Sequence, residues 1–363
     1  MKIGIDASRA LIEKRTGTEE YSYRFIKSLI SLDTSGFQIF LYVRNYEKTK
    51  LKLPENFFIK KINKNRLWTQ IGLSKEMKKD PIDVLFIGAH SVPFIHPKNT
   101  VVTIHGLEYK YCPENYSIGE RIMLEFNTLI SVKWSKRIIV PSESTKRDLI
   151  RFYKVDSEKI RVIYHGVSSI KYPVLSIKHN NRKSFDILFI GRLEKRKNLV
   201  NLIKAFELFK TRYTLHVTRY MLTIVGKEGF GFKEIKSMIN QSLYKDDIII
   251  KDYVSEEEKK ELYQKAGLFV MISFYEGFGL PILEAMSCGV PVICSNVSSL
   301  PEIAGEAGLL VDPNDIKQIA EAFEKIICKE DLKNDMIKKG FENVKRFSWE
   351  KCACETMDTL LHC

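Results

Sequence analysis

The 363-residue chain is predicted to be an α/β protein built from two doubly wound, parallel-sheet domains. Three observations support this. Short runs rich in Val, Ile and Phe recur along the whole length without the polar alternation of a one-sided sheet, as strands buried on both faces require. Amphipathic stretches of helical period separate consecutive runs, which is the rhythm of βαβ units. That rhythm is interrupted once, over 168–184, where Tyr172-Pro173 and the polar run His179-Asn180-Asn181-Arg182-Lys183-Ser184 read as a linker.

In chain order, the first half is expected to form strands at Lys2–Asp6, Gln38–Val43, Val84–Ile87, Thr100–Ile104 and Arg137–Val140. Helices are expected between them at Glu19–Ser31, Trp68–Lys79, Ile118–Trp134 and Ser142–Phe152. The second half repeats the alternation, with strands at Asp186–Ile190, Leu222–Val225, Ile248–Lys251, Leu268–Met271, Val292–Cys294 and Leu309–Val311. Two such domains are expected to face each other across a cleft at the carboxyl ends of their strands.

With 44% hydrophobic residues the chain can fill two ordinary cores. No apolar run approaches the ~18–20 residues that span a bilayer, and MKIGIDASRA enters a strand without a signal peptide's apolar core. Seven cysteines are scattered with no paired CxxC elements, so a reduced, cytoplasmic protein is expected. The net charge of +13 is uneven: residues 1–170 hold 29 Lys+Arg against 18 Asp+Glu. An anionic membrane surface, a phosphate-bearing acceptor, nucleic acid or plain lysine-rich surface decoration would each account for it. No arginine-rich helix or aromatic-interleaved basic stripe supports nucleic acid.

The chemistry concentrates in a few strand-end loops. In 273–289, SFYEGFGLPILEAMSCG, the turn Gly277-Phe278-Gly279-Leu280 follows a buried strand, and Pro281 opens a helix. Such a turn presents backbone amides and a positive helix end to an anion. Glu276 before the turn and Glu284 within the helix make sense beside an anion if they hold hydroxyls, so the segment reads as a nucleotide-sugar site. The plain alternative is an ordinary βα turn with two surface carboxylates. Upstream, Gly191-Arg192-Leu193-Glu194-Lys195-Arg196-Lys197-Asn198 follows another strand. Arg192 and Lys197 are spaced to clamp a diphosphate, with Lys195 and Arg196 expected to face solvent. In the first domain, Gly17 in the loop Asp6–Glu20 can let backbone approach phosphate or sugar, and His105 follows a strand and precedes Gly106. His165, also before a glycine, reads as a residue of the interdomain joint.

These residues resemble the retaining nucleotide-sugar glycosyltransferases of family 4, also called group 1, whose architecture is the two-Rossmann GT-B fold. The resemblance covers essentially the whole chain and rests on Glu276–Glu284, GRLEKRKN at 191–198, VVTIHG at 101–106, PSESTKRDL at 141–149 and VIYHGV at 162–167, all in family order. It implies that Arg192 and Lys197 bind the donor diphosphate, Glu276 contacts the transferred sugar, Glu284 binds the ribose hydroxyls, His105 lies beside the sugar and Gly17 approaches the phosphates. Where the family often has two adjacent glycines in the first loop, this chain has one, in Thr16-Gly17-Thr18. The implied domains are an acceptor-side domain, 1–170, with a final helix 349–363 crossing back to it, and a donor-binding domain, 171–348.

The expected activity is transfer of a hexose from a nucleoside-diphosphate sugar to a glycan or lipid-linked saccharide acceptor in polysaccharide synthesis. Arg192, Lys197, the amides of Phe278, Gly279 and Leu280 and the helix at Pro281 would stabilise the departing diphosphate. No Asp-x-Asp triplet occurs to hold Mg²⁺ or Mn²⁺, so no metal and no cofactor is expected. Retention is implied by the resemblance, and a front-face route is consistent with it. GIDASRA and the EYKYCPENYS run resemble bacterial polysaccharide mannosyltransferases, which points to GDP-mannose while leaving UDP-sugars open. Trp68–Leu73, with Lys60, Lys61, Lys64, Arg66, Lys75, Lys78 and Lys79 nearby, is a candidate surface for the inner face of the cell membrane, unless Trp68 packs inward. The rival readings are a nucleotide-sugar epimerase of the same fold, a pyridoxal-phosphate-dependent glycan phosphorylase and a nucleic-acid-binding protein.

Overall fold

The computed structural model describes residues 1–12, 15, 17–44, 51–64, 66–89, 91–167, 184–212 and 219–363. The linker read at 168–184 lies outside the described residues except for Ser184, as does Thr16 in the first loop. The chain divides into two compact units, one of Met1–Leu107, Ser117–Gly166 and Phe347–Cys363, the other of Glu108–Tyr116 and Val167–Arg346.

The first unit contains β1 (Lys2–Asp6), α1 (Gly17–Leu29), β2 (Gln38–Val43), β3 (Phe57–Lys61), α2 (Ser74–Lys79), β4 (Val84–Ile87) and β5 (Asn99–Thr103). The short helix α3 (Glu108–Tyr111) groups with the second unit, after which the first continues with α4 (Ile118–Trp134), β6 (Arg137–Val140), α5 (Glu143–Tyr153) and β7 (Ile160–Val162). Its seven strands run parallel in the order β3-β2-β1-β4-β5-β6-β7. The second unit contains β8 (Ser184–Ile190), α6 (Leu199–Arg212), β9 (Arg219–Val225), α7 (Phe232–Gln241), β10 (Ile248–Lys251), α8 (Glu256–Lys265), β11 (Ala266–Met271), α9 (Leu280–Ser287), β12 (Val292–Ser295), α10 (Leu300–Ala304), β13 (Gly308–Val311), α11 (Ile316–Cys328) and α12 (Glu330–Val344). Its parallel order is β10-β9-β8-β11-β12-β13. Both orders reverse direction beside the unit's first strand, which is the topological switch point where open α/β sheets bind ligands.

Burial explains why these runs are strands. Ile187 and Phe189 join one core with Leu268, Val270 and the apolar faces of α6, α7 and α11. The alternate residues Leu188, Phe269 and Met271 join a second core with α9 and α10. Each such side chain contributes about 1.5–3 kcal/mol when fully buried, so an apolar residue is favoured at every position of a strand covered on both faces. Serine caps set the helix starts. Ser117 and Glu120 form a reciprocal capping box at α4, and Ser255 and Glu258 form one at α8.

The final helix α13 (Trp349–Leu361) groups with the first unit, where Trp349, Ala353 and Leu360 join the core containing Ile3, Phe25 and Phe86. A Cβ at Gly166 would lie 2.1 Å from the Trp349 backbone nitrogen, so only glycine lets the chain pass beneath this helix.

Two strands, β3 and β7, occur where none was expected. Both are sheet edges, and FFIKK and IRV carry charges that a central strand excludes. The single helix expected over Trp68–Lys79 is instead a π-helical turn, Trp68–Leu73, running into α2. Trp68 is buried and donates its indole N–H to the Ile62 carbonyl at 3.2 Å, so it is no membrane-facing aromatic. Lys60, from the same basic group, pairs with Asp80 at 3.2 Å.

Candidate functional site

In the second unit the switch point lies between β8 and β11, and the loops leaving their carboxyl ends meet there. The loop after β8 ends in a 3-10 turn, Lys195–Lys197, closed by Asn198 in the left-handed conformation at φ 59°. The Asn198 side chain donates to the carbonyls of Ile272 (3.1 Å) and Pro313 (2.6 Å), pinning this loop to the exit of β11. Lys197 is thereby held inward, its Nζ 2.5 Å from Oε1 of Glu276. Arg196 approaches the other oxygen, Oε2, at 3.2 Å. The same guanidinium donates to the Tyr275 carbonyl (2.6 Å) and to Glu194 (2.7 Å).

Burial alone would raise the Glu276 carboxyl. The Lys197 ammonium and Arg196 guanidinium outweigh it and bring the pKa down to about 2, so Glu276 is ionised throughout the neutral range. Burial pushes the Lys197 ammonium below its ordinary value, against the pull of Glu276. Arg196 is shifted upward: burial opposes its charge, but Glu276 and Glu194 overcome that cost.

The turn after Glu276 is tied from β12's exit. The Ser299 hydroxyl shares its one hydrogen between the carbonyls of Glu276 (2.9 Å) and Phe278 (2.7 Å), and the Glu276 amide donates to Ser298 at 3.0 Å. Gly279 caps α9 at φ 110°, where a Cβ would also meet Leu300 at 2.7 Å. Leu280 and Pro281 open the helix; Pro281 has no N–H and the Ile282 amide donates to the Gly279 carbonyl at 3.0 Å. Glu284 lies in α9 with Oε1 2.9 Å from Lys259 and Oε2 accepting from Tyr263 at 2.9 Å. Burial opposes the Lys259 charge, yet Glu284 and Glu256 raise its pKa. Each Glu284 oxygen keeps a second lone pair for a ligand hydroxyl.

Arg192 stands apart. Its side chain is 66% exposed, with Nε 3.8 Å from a Glu194 oxygen and its stem over Gly229. The structure corrects the expectation that Arg196 faces solvent, while Arg192 does not contact Glu276. Arg196 and Lys197 converge on Glu276, because the turn at Lys195–Lys197 directs both inward. Lys195 is partly exposed and pairs with Glu234 at 2.7 Å. Arg196, Glu194, Lys259 and Tyr263 were missed as site residues. The dense charge of 194–197 was a signal for the first two, but nothing in α8 marks Lys259 or Tyr263. The segment Glu108–Tyr116, expected in the first domain, also groups here, with Tyr111 stacked on Tyr275 at 4.7 Å between ring centroids.

The first unit carries Gly17 and His105 at the carboxyl ends of β1 and β5. Gly17 begins α1 at φ 33° with open space where a Cβ would be. The His105 Nε2 lies 2.7 Å from the Gly88 carbonyl, which can only accept, so that nitrogen carries a proton. The His105 ring packs edge-on against Tyr21 at 4.7 Å. His165 is buried against Tyr21 and Trp349, and burial, with His105 nearby, lowers its pKa far enough to keep it neutral. Among the described residues, no group of three or more His, Cys, Asp or Glu is arranged to hold a metal ion, and no helix is long and apolar enough to cross a membrane.

Two Rossmann-like sheets, with a carboxylate and cations at the second sheet's switch point, define the class of GT-B glycosyltransferases. Residues 15–169 match the family model described as Glycosyltransferase Family 4, and residues 175–343 match that of Glycosyl transferases group 1. The chain is 32% identical over 268 residues to O-antigen chain mannosyltransferase B of Escherichia coli, covering 72% of this chain and 70% of that protein. It is 28% identical to the O-antigen chain mannosyltransferase RfbU of Salmonella typhimurium, covering 71% and 69% respectively. Among solved structures, Anabaena HepE in complex with UDP-glucose superposes with a TM-score of 0.76 at 17% identity, over 100% of this chain and 99% of that one, a likeness of fold. The chain belongs to the group 1, family 4 glycosyltransferases.

Proposed function

We propose that this glycosyltransferase moves mannose from GDP-mannose to a glycan or lipid-linked saccharide of a cell-surface polysaccharide, with retention of configuration and without a metal ion. The observation that carries the reading is the contact between Lys197 and Glu276 at the switch point. A buried ammonium recognises phosphate, and an ionised carboxylate recognises hydroxyls. Their contact suits the point where a sugar joins its diphosphate. The O-antigen mannosyltransferases among the relatives favour mannose, and the UDP-glucose complex of HepE keeps UDP-sugars as the competing donors.

In the reaction, the bond from the anomeric carbon to the diphosphate oxygen breaks and the acceptor oxygen bonds to that carbon on the same face. The departing phosphate takes the acceptor's proton. Lys197, Arg192 and the amides of Phe278, Gly279 and Leu280 stabilise the charge on the leaving group. Glu276, already engaged by Lys197 and Arg196, is a weak nucleophile but a good acceptor for sugar hydroxyls, which favours the front-face route over a covalent intermediate. Glu284 holds the ribose. The absence of an Asp-x-Asp triplet, together with these cations, supports chemistry without a metal.

The test is incubation with GDP-mannose and a lipid-diphosphate-linked saccharide in excess EDTA. Transfer with retained configuration is expected at the rate seen without chelator. Loss of activity restored by Mn²⁺ would overturn the metal-free route, and release of an epimerised nucleotide sugar without transfer would assign an epimerase instead.

A further inference from the structure

We propose that the outer face of α4 is a lipid-docking surface that seats the first unit on an anionic bilayer. Ile118, Ile122, Phe126 and Leu129 follow one another at helical spacing and form a single stripe, with exposures of 75%, 65%, 54% and 49%. Met123 is exposed at the stripe's edge, while Ile130 and Ser131 are buried on the side that packs inward. Isolated exposed apolar residues are ordinary, but four large ones in register on one helix form a contiguous patch. The loop beside the helix's last turn extends it, since Phe94 and Ile95 are exposed and the Phe94 ring lies 5.9 Å from Trp134.

Charge selects the occupant. Lys133 continues the stripe one turn beyond Leu129, and Lys136 and Lys98 are exposed near the same end. Glu120, at the far end, is engaged in the Ser117 capping box, and Glu125 is partly buried. The surrounding half of the chain holds 29 Lys+Arg against 18 Asp+Glu in residues 1–170. An apolar stripe with cations at its end fits acyl chains bordered by anionic headgroups. A second copy of the chain fits less well. A 17-residue helix is about 25 Å long, and a strip about 10 Å wide along it gives roughly 250 Å², against the ~800 Å² per partner of a stable dimer. This surface replaces the one expected at Trp68, whose indole is buried.

The proposal does not rest on the sugar or the acceptor, so its test uses neither. The protein is sedimented with vesicles of phosphatidylcholine alone and of phosphatidylcholine with phosphatidylglycerol, at rising salt. The parent is expected to bind the anionic vesicles more tightly and to release them as salt rises. The double variant Ile122→Ser, Phe126→Ser is expected to bind roughly tenfold or more weakly with an unchanged Tm, because both side chains are exposed in the parent. Lys133→Gln with Lys136→Gln is expected to erase the preference for anionic lipid, whereas Lys60→Ser with Lys61→Ser is expected to leave it intact. Parent-like binding by the Ile122, Phe126 variant, or no binding by the parent, would overturn the proposal. So would sedimentation velocity showing a parental dimer that this variant converts to monomer, which would give the face to a second copy.

Discussion

Lys197→Ala is expected to lower glycosyl transfer by roughly 10²-fold or more, the usual cost of removing one group that stabilises charge on a leaving oxyanion. Arg192→Ala is expected to lower it to a similar degree, but the two variants should differ in stability. Lys197 is buried against Glu276, so its removal leaves that carboxylate with Arg196 as its remaining ion-pair partner there, and some loss of Tm should accompany the loss of rate. Arg192 is mostly exposed and makes a long contact with Glu194, so its removal should leave Tm unchanged. Steady-state rates with saturating acceptor, alongside thermal unfolding, separate the two effects. Near-parental turnover in both variants would place the diphosphate elsewhere.

Glu276→Gln and Glu284→Gln should divide donor recognition between them. The Glu276→Gln variant keeps the shape of the side chain and a carbonyl for Lys197 but loses the charge that accepts sugar hydroxyls. Turnover should fall roughly 10²-fold, while affinity for free GDP stays within a few-fold of the parent. The Glu284→Gln variant should bind GDP itself more weakly, because the ribose loses an ionised acceptor, worth about 1.5–3 kcal/mol per hydrogen bond. Calorimetric titration with GDP and initial rates with GDP-mannose distinguish these outcomes. Equal loss of GDP affinity in both variants would contradict the division.

Much of this was legible in the amino-acid sequence because a parallel sheet covered on both faces writes itself as apolar runs. Lys2–Asp6, Gln38–Val43, Val84–Ile87 and Ile248–Lys251 were read with the boundaries observed. The edge strands β3 and β7 were not, since an edge admits the charged residues that elsewhere mark a loop. At the site, Glu276, Lys197 and Gly279 were legible because a strand end, a glycine turn and a helix start leave a local pattern. Their partners were not. Whether Arg196 or Arg192 turns inward depends on Asn198 and on the Tyr275 carbonyl, reached across 79 residues of chain. The same limit applies to Trp68 and α4. Both segments read as amphipathic helices, and only tertiary contacts decide that Trp68 is covered while Ile122 and Phe126 are not.

Thermal unfolding with added donors shows whether the Lys197–Glu276 pair recognises a nucleoside-diphosphate sugar. A ligand that binds only the folded state stabilises it by mass action, by about 2.7 kcal/mol at a hundredfold excess over its Kd, and so raises Tm. GDP-mannose is expected to raise the parent's Tm more than UDP-glucose does, and Lys197→Ala is expected to lose most of the rise. A Tm unmoved by any GDP- or UDP-sugar, or a rise of equal size in the Lys197 variant, would contradict that recognition.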